Sequence, residues 1–268
     1  MVEQKTRTIR KASGLPSWPV TLVAGREKVG KSYAAAVASA SDLIDRTFWI
    51  SFGEKDPDEY GAIPGSRIEI IENNNTLADL ADAIMFAHQQ PKSDKPHMLV
   101  IDSASRIWEA ITNRVNATAA NRGKRDRNGE LVIGTDLWNK GNQEWSKLLG
   151  IIRRWEGPVV LTARMDQVTV MDDRGLPTKD KTEKIKTQKN LPYDVDAIVE
   201  MPERGTAILA GVRSVAYQFP ERMEVKDFTL DAFWRKLGLE KNAQPTYSEP
   251  PTAEPLEDTA PTITLPTS

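Results

Sequence analysis

The sequence predicts an α/β fold, a mostly parallel central sheet flanked by helices with an antiparallel pair of strands at one edge. Three observations carry this. Short apolar runs of strand length recur from residue 19 to residue 211, helix-length segments separate the earlier runs, and the last two lie close enough for a hairpin. Parallel strands need a crossover of about a dozen residues or more, and helices in the crossovers cover the sheet on both faces.

The elements follow in order. PVTLVAG (19–25) is a first buried strand, and the Ala-rich segment 31–45 a helix. TFWISF (47–52) and RIEII (67–71) are strands, and TLADLADAIMFAHQ (76–89) has apolar residues at helical spacing. HMLVID (97–102) and PVVLTA (158–163) are strands, with a helix at 138–155 between them where Trp and Leu/Ile positions repeat. DAIVEM (196–201) and TAILAG (206–211) form the edge pair. Residues 241–268 hold six of the seventeen prolines, with Thr, Ser and Glu, and bury too little apolar surface to order themselves. The expected organisation is an N-terminal extension (1–17), one domain (18–240) and a disordered acidic tail (241–268). There is no internal repeat.

Composition narrows the classes. At 268 residues and 39% apolar content the chain buries one sizeable core. The net charge of −2 conceals a tail with five acids and one lysine from residue 240 onward, which leaves the body at about +2 by subtraction. The absence of cysteine excludes disulfides and thiolate metal sites. No leader-like h-region and no run approaching ~18 apolar residues is present, so a soluble, cytoplasmic protein without membrane contact is expected. His88 and His97 lie nine apart without a metal-ligand pattern, and Trp108, Trp138, Trp145 and Trp155 fit core or subunit-contact positions on amphipathic segments.

The stretch VAGREKVGKS carries the chemistry. Four residues separate Gly25 from Gly30, and Lys31 and Ser32 follow, with a strand entering and a helix leaving. Backbone N–H groups of such a loop surround a β-phosphate, the lysine reaches the β/γ oxygens and the serine hydroxyl holds Mg²⁺. The nucleotide-binding candidates are therefore Gly25, Arg26, Glu27, Lys28, Val29, Gly30, Lys31, Ser32 and Tyr33. Asp102 ends the strand HMLVID, where an acid orients the water shell of Mg²⁺, so Ser32 and Asp102 are the metal candidates. The bland reading of Asp102 is a cap on the next segment. Two strands fall between the loop strand and the Asp102 strand, which favours hydrolysis over phosphotransfer to a small molecule.

The ordered set GREKVGKS, FWISFGEKDPDEY, LVIDS, PVVLTAR and a closing strand pair resembles RecA-like P-loop ATPases over roughly residues 18–238. More narrowly, VIDSASRIWEAI, VVLTARMD and KTQKNLPYDVDAIVE are similar to bacteriophage RecA-like ATPases (AAA-type domains), some of them single-strand annealing recombinases. The resemblance implies a Mg²⁺-dependent ATPase whose catalytic residues are Lys31, Glu54 and Asp102. Glu54 polarises the attacking water, with Asp56 and Glu59 as rivals nearby. It also implies a γ-phosphate sensor at Thr162 and Arg164, although these depart from the usual amides. The arginine either contacts phosphate, pairs with Glu54 or is an ordinary surface residue.

Two polar excursions complete the reading. Residues 113–130 hold Arg114, Arg122, Lys124, Arg125 and Arg127, with Gly and Asn keeping the segment flexible. Residues 164–190 hold seven cations, among them Lys184, Lys186 and Lys189, against five acids. In RecA-like folds the corresponding loops bind single-stranded DNA, and phosphate contacts of this kind are salt-dependent and indifferent to sequence. Neither segment holds an aromatic stacking platform, and solvated mixed-charge loops are the alternative. The resemblance also implies that Lys186 or Lys189 reaches a neighbouring subunit's γ-phosphate, the alternative being that these lysines bind DNA or keep the loop soluble. The implied partners are single-stranded DNA, further copies of the chain in a filament or ring, and a single-strand binding protein or other recombination or replication protein, in the cytoplasm of a bacterial host. The roughly 18 residues before the first strand are too few for RecA's polymerisation domain. A replicative accessory ATPase (helicase or loader) and a nucleotide-switched binding module are the alternative functions.

Overall fold

The computed structural model describes residues 9–172, 174–219, 222–240 and 243–249. Among these residues the strands are β1 (Val20–Gly25), β2 (Thr47–Ser51), β3 (Ile68–Ile70), β4 (Met98–Asp102), β5 (Val159–Met171), β6 (Pro177–Ile185), β7 (Ala197–Met201), β8 (Ala207–Val212) and β9 (Met223–Val225). The α-helices are α1 (Lys31–Ala38), α2 (Leu77–His88), α3 (Ala104–Arg122), α4 (Thr135–Ile152), α5 (Leu191–Asp194) and α6 (Leu230–Lys236). The sheet order is β3-β2-β4-β5-β1-β7-β8-β9, with β6 joined to β5 alone. All pairings from β3 to β7 are parallel, and β7-β8 and β8-β9 are antiparallel. β5 thus stands between the loop-bearing β1 and the acid-bearing β4. The architecture is a mostly parallel sheet flanked by helices, with antiparallel strands at one edge.

Burial on both faces explains why the central strands read as unbroken apolar runs. Leu22, Ile50, Ile101 and Leu161 face α2, α3 and α4, and Val23, Trp49, Val100 and Val160 face α1 and α6. Asp102 and Thr162 continue the second series, so both point toward the face that α1 covers.

Several expectations change. The first excursion is helical through Arg122, because Ile107, Ile111, Val115 and Ala119 recur every fourth residue and are buried, the last two with Leu137 of α4. Ser103 caps the start of α3 through its hydroxyl, and Gly123 ends it at φ +67°. Flexibility is thereby withdrawn from residues 113–122. The second excursion is a β-hairpin, in which β5 continues eight residues past Ala163 and pairs with β6. Its turn is fixed by the Asp172 side chain, which accepts from Arg174 N at 2.9 Å and Leu176 N at 2.8 Å. α1 stops at Ala38, where the Ser39 hydroxyl donates back to Ala36 O at 2.6 Å. β9 and α6 were not expected, and they close the antiparallel edge and the α1 face.

Residues 1–8, 241–242 and 250–268 lie outside the described residues, and with them most of the expected acidic tail. Residues 243–249 form no helix or strand, and Ser248 N donates to Val215 O at 2.8 Å. No helix among the described residues is long and apolar enough to cross a membrane.

Candidate active site

The phosphate loop sits at the C-terminal end of β1. Gly25 is required there by close approach, since a Cβ would lie 2.4 Å from the Met201 carbonyl oxygen of β7. Gly30 has φ +108°, the left-handed turn that aims the first N–H groups of α1 into the loop. Arg26, Glu27 and Lys28 are exposed, Val29 is buried as the loop's anchor, and Tyr33 is exposed on α1. Lys31 donates from Nζ to the Arg26 carbonyl at 2.5 Å. Burial pushes its ammonium below the ordinary lysine value, and the charge of Asp102 opposes that shift.

Asp102 reaches both neighbours that the loop and β5 present. Ser32 Oγ donates to Oδ2 at 2.7 Å and Thr162 donates to Oδ1. Burial pushes the Asp102 carboxyl up, and the two hydroxyl donors pull it back. Capping of α3 falls to Ser103, so the Asp102 carboxylate is left for the loop. Among the described residues no cluster of three or more His, Cys, Asp or Glu is placed to hold a metal alone. A hydroxyl and a carboxylate side by side, both hard oxygen donors, fit Mg²⁺, which is bound by one or two protein groups with water and nucleotide phosphates.

Glu54 lies in the loop after β2. Its Oε1 accepts from Ser103 Oγ at 3.0 Å and Arg164 Nη2 at 2.5 Å, and Arg106 Nε is 3.6 Å away. Arg164 is itself fixed by its N–H, which donates to Ser105 Oγ at 2.8 Å. Of the three readings for Arg164, pairing with Glu54 is the one present. Asp56 and Glu59 are exposed. Ser103, Ser105 and Arg106 were missed by sequence reasoning, although a serine directly after the strand acid, opening an apolar helical pattern, signals an N-cap.

A cavity of about 730 Å³ opens beside Gly30, Lys31 and Ser32, lined farther out by Tyr33, Tyr60, Met201, Arg204 and Phe228. That volume lies within the range of about 300–1,000 Å³ common to small-molecule sites. Tyr60 packs edge-on to Tyr33 with centroids 6.2 Å apart. No local pattern marks Arg204 or Phe228, which reach the cavity through the β7–β8 and β9–α6 connections.

The DNA-binding candidates divide. Arg122 is paired with Asp136 at 2.7 Å, Arg125 donates to the Gly129 carbonyl at 2.7 Å, and Lys186 lies 3.3 Å from Asp166. Lys124, Arg127, Lys184 and Lys189 are exposed and have no carboxylate partner among the described residues. Trp108 of α3 packs on Trp138 and Trp145 of α4. His97 Nε2 lies 2.8 Å from the Pro91 carbonyl oxygen, near the N-terminal end of β4, away from this site.

The family model described as AAA domain matches residues 19–225. Among solved structures, the RadB recombinase is 18% identical, with 79% of this chain and 87% of that one covered at a TM-score of 0.44. A DnaB-like replicative helicase is 13% identical over 79% of this chain and 57% of that one, at 0.45. The assembled ATPase EscN of the type III secretion system of enteropathogenic E. coli is 13% identical over 69% of this chain and 48% of that one, at 0.43. No curated protein matches the chain.

Proposed function

We propose, because this chain belongs to the AAA domain family, that it is a Mg²⁺-dependent ATPase that acts with single-stranded DNA in recombination or annealing of the phage type. One observation carries the coupling: Arg164, where β5 leaves the sheet to become the hairpin, holds the carboxylate of Glu54.

In this reading the loop N–H groups and Lys31 bind the phosphates, with Lys31 leaving the Arg26 carbonyl to do so. Ser32 and Asp102 would hold Mg²⁺, which would supply charge neutralisation at the phosphate oxygens. Glu54 orients the attacking water once Arg164 has released it, and Thr162 fixes the orientation of Asp102. Lys124 and Arg127 beyond α3, with Lys184 and Lys189 on and after the hairpin, supply contacts to DNA phosphates. Lys186 and Lys189 are the residues that would reach a neighbouring copy's nucleotide in a filament or ring.

Steady-state ATP hydrolysis with Mg²⁺, with and without single-stranded DNA, tests the proposal, with Lys31→Ala as control. Stimulation by DNA that the control abolishes is the expected result. Hydrolysis indifferent to DNA would replace it with a replicative accessory ATPase, and nucleotide binding without turnover with a nucleotide-switched module.

A further inference from the structure

Residue 26 is held twice. Its guanidinium donates from Nε to Glu183 Oε1 at 2.6 Å, with Nη2 closing on the same oxygen, while its carbonyl accepts from Lys31 Nζ at 2.5 Å. Glu183 belongs to β6, opposite Gln167 in the hairpin ladder. The hairpin, which hangs from the sheet through β5 alone, therefore touches the phosphate loop through a carboxylate.

The geometry points to Glu183 as a positioning residue for the phosphate-binding loop. By fixing the Arg26 guanidinium it restrains the main chain at residue 26, whose carbonyl is the resting partner of the Lys31 ammonium. The inference rests on the nucleotide-binding reading of that loop. Arg26 and Glu183 are 44% and 26% exposed at their side chains, and a pair so open to water adds little to global stability. Its consequence is local. Three consecutive exposed residues, Arg26 to Lys28, must be ordered when phosphate binds, and a restraint already in place lowers that entropic cost.

A double-mutant cycle on the full chain tests this, using Arg26→Ala, Glu183→Ala and both together, with affinity for fluorescent mant-ATP and Mg²⁺ as the readout. Glu183→Ala is expected to weaken binding about two- to fivefold, the range an exposed ion pair supports. Glu183→Gln keeps an acceptor for Arg26 Nε and weakens it less. KM rises with kcat unchanged, a split that general loosening of the hairpin would not produce. In the Arg26→Ala background, Glu183→Ala changes nothing further. Wild-type affinity in Glu183→Ala, or losses that simply add, overturn the inference. Hydrogen exchange of the loop amides at residues 26–32, measured without nucleotide on the same proteins, gives an independent reading. Faster exchange in Glu183→Ala that Arg26→Ala does not compound supports the positioning role, and unchanged exchange removes it. If the wild-type chain binds no mant-ATP, the nucleotide reading falls, and the exchange cycle still decides whether Glu183 positions the loop.

Discussion

Asp102 is 8% exposed, and its carboxylate oxygens accept hydrogen bonds from the Ser32 and Thr162 hydroxyls. Its folded pKa is raised by burial, so in the nucleotide-free protein the ionised acid costs stability. Asp102→Asn removes that charge and keeps an acceptor for one hydroxyl. We expect it to raise the nucleotide-free melting midpoint by about 2–4 °C at neutral pH while abolishing Mg²⁺-dependent hydrolysis. The sign follows from linkage: the folded form holds its proton more tightly than the unfolded form, so the cost in the native protein is full above the folded pKa. The advantage of the asparagine therefore fades as pH falls toward the ordinary carboxylate value, which thermal scans across acidic pH will read. The charge of Glu54 is met by Arg164 and approached by Arg106. Glu54→Gln is expected to lower turnover about 10²- to 10⁴-fold with nucleotide affinity retained, measured by single-turnover hydrolysis alongside a binding titration. The positions of Lys31, Ser32 and Asp102 were readable because a fixed spacing and a strand end mark them. Arg106 and Arg204 were not, since nothing in their neighbours along the chain tells that one approaches Glu54 and the other lines the cavity.

At the scale of elements, local periodicity described the parts that bury a regular face. α2 spans residues 77–88 against an expected 76–89, and α4 spans 135–152 against 138–155. The charged residues of 113–122 drew attention from the Val115 and Ala119 positions that continue α3, and composition outweighed pattern. The helical assignment has a consequence for stability. Leu137 of α4 is 3% exposed and packs with Val115 and Ala119, so Leu137→Ala is expected to cost about 2 kcal/mol, the low end for a buried leucine in a satellite cluster. Urea denaturation measures it, and a cost under about 0.5 kcal/mol, the surface value, would mean that this half of α3 does not pack. The hairpin was missed for another reason. Both faces of β6 meet water, so its sequence KDKTEKI carries no apolar alternation, and only its ladder with β5 makes it a strand.

For the whole molecule, the proposed contact with nucleic acid rests on the cations that have no carboxylate partner among the described residues. Lys124, Arg127, Lys184 and Lys189 are exposed without a carboxylate partner among the described residues, whereas the charge of Arg122 is already met by Asp136. Replacing the first four by Ala is expected to flatten the salt dependence of single-strand binding by up to about 3 in log–log slope, near 0.7 for each phosphate no longer neutralised. Arg122→Ala alone is expected to change it little. Fluorescence titrations at several salt concentrations distinguish the two sets. The sequence by itself determined the sheet with its helices on both faces, the phosphate loop and the strand-end acid. These depend on spacing, periodicity and backbone conformation, which are properties of neighbours along the chain. Only the tertiary structure decided that Ser32 and Thr162 donate hydrogen bonds to Asp102 across three elements, that Arg164 engages Glu54, and that Glu183 of the hairpin reaches Arg26 of the loop. Those interactions join residues from 60 to 157 positions apart, and they follow from the order in which β2, β4, β5 and β1 stand side by side.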